Sequence, residues 1–218
     1  MLFLFIPYYN GPIKKFLESI ENSTIKFDGD THSNRLIYRD RKQDRIYWTK
    51  AANDFYGYVS KCRGIKDSDI IGIMNSDISF GSDLVEEGMK VKQGEVYVSQ
   101  GIQIDWRKKK FFEGNRIDTF PGRCFFMTYK DFINSGGFTK LLPHYLSDYD
   151  FGIKMCKRLK PIQMESEVYH EPHIKNKEMF SILNPVNPIF FTIFLLKHFN
   201  RYTLLNILKA WYDGIFRY

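Results

Sequence analysis

The sequence predicts an α/β fold with a mostly parallel central sheet flanked by helices, on two observations. Between Leu2 and Met74, apolar runs alternate with amphipathic stripes in the order strand, helix, strand, helix, strand, and such alternation is built with right-handed crossovers around a parallel sheet. Each apolar run then ends in polar residues, at Tyr9-Asn10, at Asp40 and at Asn75-Ser76-Asp77. In a parallel sheet these ends meet at the carboxyl edge, where α/β proteins place their ligands. With 218 residues the chain has room for one sizeable core.

The elements follow in order. The opening MLFLFIPYYN has neither a basic leader nor a small-residue cleavage site, so it reads as a first strand rather than a signal peptide. Ile13, Phe16, Leu17 and Ile20 recur at helical spacing. SNRLIYRD is a second strand ending at Asp40, and Ala52, Phe55, Val59 and Cys62 share one face of a second helix. DIIGIM is a continuous apolar run, as expected of a central strand covered on both faces. A helix is predicted over 82–92. EVYVSQGIQIDW and FFEGN alternate around the solvated basic tip RKKK as a hairpin does. YKDFINSGGF reads as a short helix stopped by Gly136-Gly137, and EVYHEPHIK places His170, Glu171 and His173 after another strand.

The composition changes after Lys175, which divides the chain into a main domain over 1–175 and a helical extension over 176–218. In the extension, Leu204, Ile207, Leu208, Trp211 and Ile215 follow helical spacing, with Lys197, Arg201, Lys209 and Arg217 at the edges. Such an amphipathic helix either packs on the sheet or a second subunit, giving a homo-oligomer, or lies in a membrane interface. No run approaches the ~20 apolar residues of a membrane span.

A net charge of +7 favours an anionic partner: nucleic acid, a phosphorylated substrate or an acidic membrane. The basic residues are scattered and the strand ends are acidic, which argues against nucleic acid. The 3 cysteines form no C-x-x-C, so neither a disulfide framework nor a zinc site is expected, and a reducing, cytoplasmic setting fits.

The chemistry-bearing residues lie at the strand ends and at SDYD. Asp77 ends a strand as a candidate metal ligand, and Asp148 and Asp150 open a helix where a carboxylate can serve as general base. Taken in order, the motifs from about Leu2 to His173 resemble the family 2 glycosyltransferases with the GT-A fold. IPYYN is similar to that family's first strand and donor loop (Pro7, Tyr8, Tyr9), and Asp40 falls at its base-recognising acid. Asn53 and Gly57 match its second helix, where a small residue lets the nucleotide approach. Asn75-Ser76-Asp77 occupies the D-x-D position, PGRCFFMTYKDFINSGGF resembles the acceptor-side segment, and YLSDYDF resembles E-D-x-D. Two departures stand out: Asn75 replaces the first D-x-D carboxylate, and Ser147 the first acid of E-D-x-D.

The resemblance implies an inverting hexosyl- or related sugar transferase. It would use a nucleotide sugar, with a UDP-sugar the expected donor, and a divalent cation, Mn or Mg, on Asp77 with His170 or His173. Asp148 is its implied base, ahead of Asp150. A glycan or lipid-linked acceptor in surface polysaccharide or glycolipid assembly follows, at the inner face of the membrane. A nucleotidyltransferase is the alternative, although it would carry a glycine-rich phosphate loop where IPYYNGPIKK has a single glycine. A non-catalytic basic protein that binds nucleic acid is a further alternative.

Overall fold

The computed structural model describes residues 1–8, 13–25, 34–41, 47–108, 110–143, 146–170 and 187–216, with the backbone alone for Tyr8, Ile13, 38–40 and 213–216. The chain runs β1 (Leu2–Tyr8), α1 (Ile13–Glu21), β2 (Arg35–Asp40), α2 (Trp48–Val59), β3 (Ile70–Met74), β4 (Ile78–Phe80), α3 (Leu84–Gly88) and β5 (Glu95–Val98). It continues through β6 (Gln103–Asp105), β7 (Lys110–Phe112), β8 (Cys124–Thr128), α4 (Tyr129–Asn134), α5 (Ser147–Cys156), β9 (Lys160–Gln163) and β10 (Val168–His170), and ends in α6 (Pro188–Lys197) and α7 (Thr203–Phe216).

Six strands form the central sheet in the order β2-β1-β3-β8-β5-β9. Three of its five pairings are parallel, and β8 runs antiparallel to both its neighbours. Side chains alternate across the pleat, so the continuous apolar runs feed two cores. Phe3, Phe5, Ile71, Ile73, Phe125 and Met127 meet α2 and α5 on one face. Leu2, Leu4, Ile6, Ile70 and Phe126 meet α1 and α3 on the other. Two short antiparallel ribbons, β4 with β10 and β6 with β7, stand outside the sheet. The second closes at the basic tip that the sequence predicts, where Asp105 Oδ1 accepts from the backbone N–H of Arg107 and Lys108.

Three expectations change. The helix predicted over 82–92 is shorter, Leu84–Gly88, because Gly88 lies against the Phe126 ring and the chain turns soon after at Gly94 (φ 85°). CFFMT, read in the sequence only within an acceptor-side motif, is the fully buried strand β8. In α7 the buried positions are Thr203, Asn206 and Ala210, while Leu204 and Leu208 of the predicted stripe are each 69% exposed. The polar positions decide this orientation. Asn206 Nδ2 donates to the Trp106 carbonyl at 2.6 Å, and Thr203 Oγ1 caps the helix by accepting from Asn200 N at 2.8 Å.

Gly72 sits in β3 directly opposite Phe126, and a Cβ there would come within 2.7 Å of the Phe126 ring and 2.8 Å of Leu4 Cδ1. Gly72→Ala is therefore expected to cost about 1–3 kcal/mol by overpacking, read as a lowered urea midpoint. Adding Phe126→Leu should recover part of that loss.

Candidate active site

The carboxyl edge of the sheet opens because strand pairings end at different points. β1 pairs with β3 only as far as Phe5↔Ile73 but stays beside β2 to Tyr8↔Asp40. Pro7, buried, lies in the stretch that β3 no longer covers, so its missing N–H takes no ladder bond from β3. Asp40 and Tyr8 close the β1–β2 pairing opposite one another. Their side chains, and the whole of Tyr9 and His173, lie outside the described residues.

β3 delivers Asn75, Ser76 and Asp77 to this edge. Asn75 N donates to the Arg123 carbonyl at 2.8 Å, and Asn75 Oδ1 accepts from the Trp48 indole N–H at 2.9 Å. The amide oxygen in the first D-x-D position is thus used to fix Trp48, the first residue of α2. Ser76 is buried. Asp77 leads into β4, and the antiparallel register of β4 with β10 aligns His170 with Ile78. This places His170 Nε2 3.0 Å from Asp77 Oδ2. Glu87 of α3 steadies the approach to β10, accepting from Glu165 N at 2.8 Å, Ser166 N at 3.0 Å and Ser166 Oγ at 2.6 Å.

The other wall is the start of α5. Leu146 precedes it with φ 68°, a left-handed conformation that costs a side-chain-bearing residue about 1–2 kcal/mol. Asp148 Oδ2 accepts from Gly122 N at 2.8 Å and Oδ1 from Tyr149 N at 2.9 Å. Burial pushes the Asp148 carboxyl above the ordinary carboxylate range, against the lowering pull of these N–H groups and the charge of Arg123. Gly122 has no room for a side chain. A Cβ would lie 2.7 Å from Trp48 Cζ2 and 3.1 Å from Asp148 Cβ. One indole therefore touches both the Asn75 and the Asp148 sides of the crevice. Arg123, partly exposed next to Gly122, donates from Nη1 to Gln100 Oε1 at 2.8 Å, and Gln100 in turn donates to Glu113.

Asp150 has a different position from Asp148. It is 3% exposed and accepts from Thr139 Oγ1, from Lys197 Nζ at 2.7 Å and from His198 Nε2 at 2.9 Å. Burial pushes its carboxyl up, but the bonds from His198, Lys197 and Thr139 outweigh that and hold it at about 2. It joins α5 to the end of α6. Asn53 likewise holds structure together: its Nδ2 donates to the Phe138 carbonyl at 3.0 Å and its Oδ1 accepts from Phe138 N at 2.9 Å. That reciprocal pair anchors the turn after Gly136 (φ 71°) and Gly137 (φ 77°). A Cβ on Gly57 would meet no protein atom within 4 Å, so the space beside it is open. A groove of about 580 Å³ runs beside Trp48, lined by Tyr47, Lys50, Asn53, Tyr56, Phe138 and Lys140 among others.

Sequence reading passes over Trp48, Gly122, Arg123 and Glu87. The PGR tripeptide at the head of β8 was the available signal, but only the tertiary structure sets it beside Asp148 and Asn75.

No protein-family model and no curated protein matches the chain. Among solved structures, the chain is similar over 100% of its length to 72% of the S. aureus TarS 1-349 chain, with 11% identity and a TM-score of 0.54. It also matches a putative glucose-1-phosphate thymidylyltransferase from Bacillus anthracis, crystallised with sucrose, at 14% identity and a TM-score of 0.45, over 78% of this chain and 89% of that one. The first is a glycosyltransferase and the second a nucleotidyltransferase, and the likeness to TarS gives this chain a GT-A-like fold.

Removing one partner from a buried, hydrogen-bonded ion pair strands the other charge. Lys197 is partly exposed and can relax into water, so Asp150→Ala is expected at the lower end of the usual range, about 3 kcal/mol at pH 7. Because the folded carboxyl lies below the unfolded one, its contribution is present above about 4 and is lost as pH falls toward 2. Urea midpoints of the wild type and Asp150→Ala should therefore stay apart from pH 7 to about pH 4 and approach one another only as pH falls from there toward 2.

Proposed function

We propose that the protein is an inverting glycosyltransferase of the family 2 type, moving a sugar from a nucleotide sugar to a hydroxyl of a glycan or lipid-linked acceptor. The observation that carries this reading is Asp148: a partly buried carboxylate, raised in pKa by desolvation, held by the Gly122 N–H beside the same Trp48 indole that Asn75 fixes two residues before Asp77. A base poised closer to neutrality than an ordinary aspartate suits proton abstraction from a poorly acidic hydroxyl.

In this mechanism Asp148 takes the proton of the acceptor hydroxyl as its oxygen bonds to the anomeric carbon. The bond from that carbon to the donor diphosphate breaks on the opposite side, and its electron pair leaves with the diphosphate. Single displacement inverts the anomeric centre. The Gly122 and Tyr149 N–H groups orient the carboxylate, and Arg123 offers positive charge near the growing negative charge of the leaving group.

Asp77 and His170 are the residues that would hold a divalent cation, Mn or Mg. Among the described residues no group of three or more His, Cys, Asp or Glu forms, so phosphate oxygens and water would complete the shell, as hard cations at nucleotide sites commonly require. Such a cation supplies charge neutralisation for the diphosphate. The groove beside Trp48, with tyrosines and lysines, suits a polar acceptor. A nucleotidyltransferase would use the same sheet and the same Asp77–His170 pair but gives Asp148 no task.

A thermal-shift panel of nucleoside diphosphates and nucleotide sugars, with and without manganese, tests the donor class and names the base. Asp77→Ala should lose the metal-dependent part of nucleotide affinity. Asp148→Asn should keep nucleotide binding while transfer falls about 10²- to 10⁴-fold, and full transfer by that variant would refute the assigned base. In the wild type, transfer should fall with decreasing pH through an apparent pKa above the ordinary aspartate value of about 4, because only the ionised carboxylate accepts the proton.

A further inference from the structure

α6 and α7 carry more apolar surface than they bury. Their inward side packs Phe191, Phe194, Leu195 and Ala210 against Ile104, Leu142, Leu146 and Ile153. Their outward side shows Leu196 (54% exposed), Phe199 (70%), Leu204 (69%), Leu205 (60%), Leu208 (69%) and Tyr212 (56%). A single exposed leucine needs no explanation, but six large apolar side chains exposed within 17 residues, on two helices and the turn between them, mark an interaction surface. The helix is held in this sense by two hydrogen bonds, Asn206 to the Trp106 carbonyl and Trp211 Nε1 to Thr192 Oγ1 at 3.1 Å. A simple rotation that hides the leucines would break them.

The charges around the patch narrow what covers it. Arg201 and Lys209 are exposed within and beside it, Arg201 lying over the Tyr202 ring at 4.8 Å. Over 187–216 the sequence has Lys197, Arg201 and Lys209 against Asp213 alone. A two-fold contact with a second copy would set like charges against each other in the same patch. An anionic bilayer meets both features, since leucines and Phe199 enter the acyl boundary, Trp211 and Tyr212 suit the headgroup level, and lysine and arginine pair with acidic headgroups. Among the described residues no helix is long and apolar enough to cross a membrane, so the attachment is in the plane of the interface.

We propose that the outward face of α6 and α7 docks on an anionic lipid surface, with Leu204, Leu205 and Leu208 inserted and Arg201 and Lys209 on the headgroups. The docking is independent of the reaction catalysed and is read without it. The full chain should float with phosphatidylcholine vesicles containing phosphatidylglycerol, bind pure phosphatidylcholine more weakly, and lose the difference in high salt. Leu204→Glu with Leu208→Glu should reduce binding at least tenfold, and Arg201→Gln or Lys209→Gln by about fivefold each. Brominated lipid should quench tryptophan fluorescence, and Trp211→Phe should remove that quenching. Leu204, Leu208, Arg201 and Lys209 are exposed, so the melting temperatures of their variants should stay near wild type, which separates lost docking from lost folding. The proposal is overturned if the chain ignores anionic vesicles, or if the double glutamate variant floats as well as wild type. It is equally overturned if light scattering shows a dimer that this variant turns into a monomer while vesicles bind neither.

Discussion

The contact on which the candidate site depends is the Trp48 indole between Asn75 at the end of β3 and Gly122 beside Asp148 at the start of α5. Its N–H is fixed by Asn75 Oδ1, its ring closes against Phe138 at 5.1 Å in an edge arrangement, and its far edge leaves Gly122 no room for a Cβ. Gly122 in turn donates the N–H that aims Asp148. A buried indole needs a partner for its single donor, and the amide of Asn75 meets that need while the charge of the site stays on Asp77. The departure from a two-carboxylate motif thus has a structural task.

The two carboxylates of SDYD diverge because their surroundings do. Asp148 is desolvated, and the backbone N–H donors and the charge of Arg123 only partly offset that, which leaves its carboxyl raised. Asp150, two residues on, faces a lysine, a histidine and a threonine that hold it at about 2. Environments that push neighbouring acids apart separate a proton acceptor from a permanent anion. Asp150 serves as the permanent anion and ties α6 to α5.

Much of the fold was legible because local pattern and tertiary outcome agree. The strand–helix alternation through β3, the buried run of DIIGIM, the hairpin at RKKK and the Gly136-Gly137 stop all rest on short-range periodicity or glycine geometry. β8 was missed because a strand antiparallel to both neighbours carries no crossover signal, and its five apolar residues sat inside a segment read for a motif. The α7 stripe was read correctly as apolar, but its direction was not legible. Periodicity marks a face without saying what that face meets, and here Asn206 and Thr203 decided. Of the residues in the candidate site, Asp77, His170 and Asp148 are expected from the sequence, whereas the contacts of Trp48, Gly122, Arg123 and Glu87 required knowing which distant segments touch.

The ribbon that carries Asp77 and His170 has a consequence for how the crevice behaves in time. β4 and β10 share only three residue pairs, and while Ile78 and Phe80 of β4 are buried in a core, β10 is an outer strand whose Tyr169 is exposed. Asp148 instead stands on a helix whose Phe151 and Met155 are sealed into the main core. The two sides of the crevice therefore differ in opening free energy, so amide hydrogens around His170 exchange through small local openings long before those beneath Asp148. One side of the candidate site is fixed by core packing, and the other rests on a short outer strand.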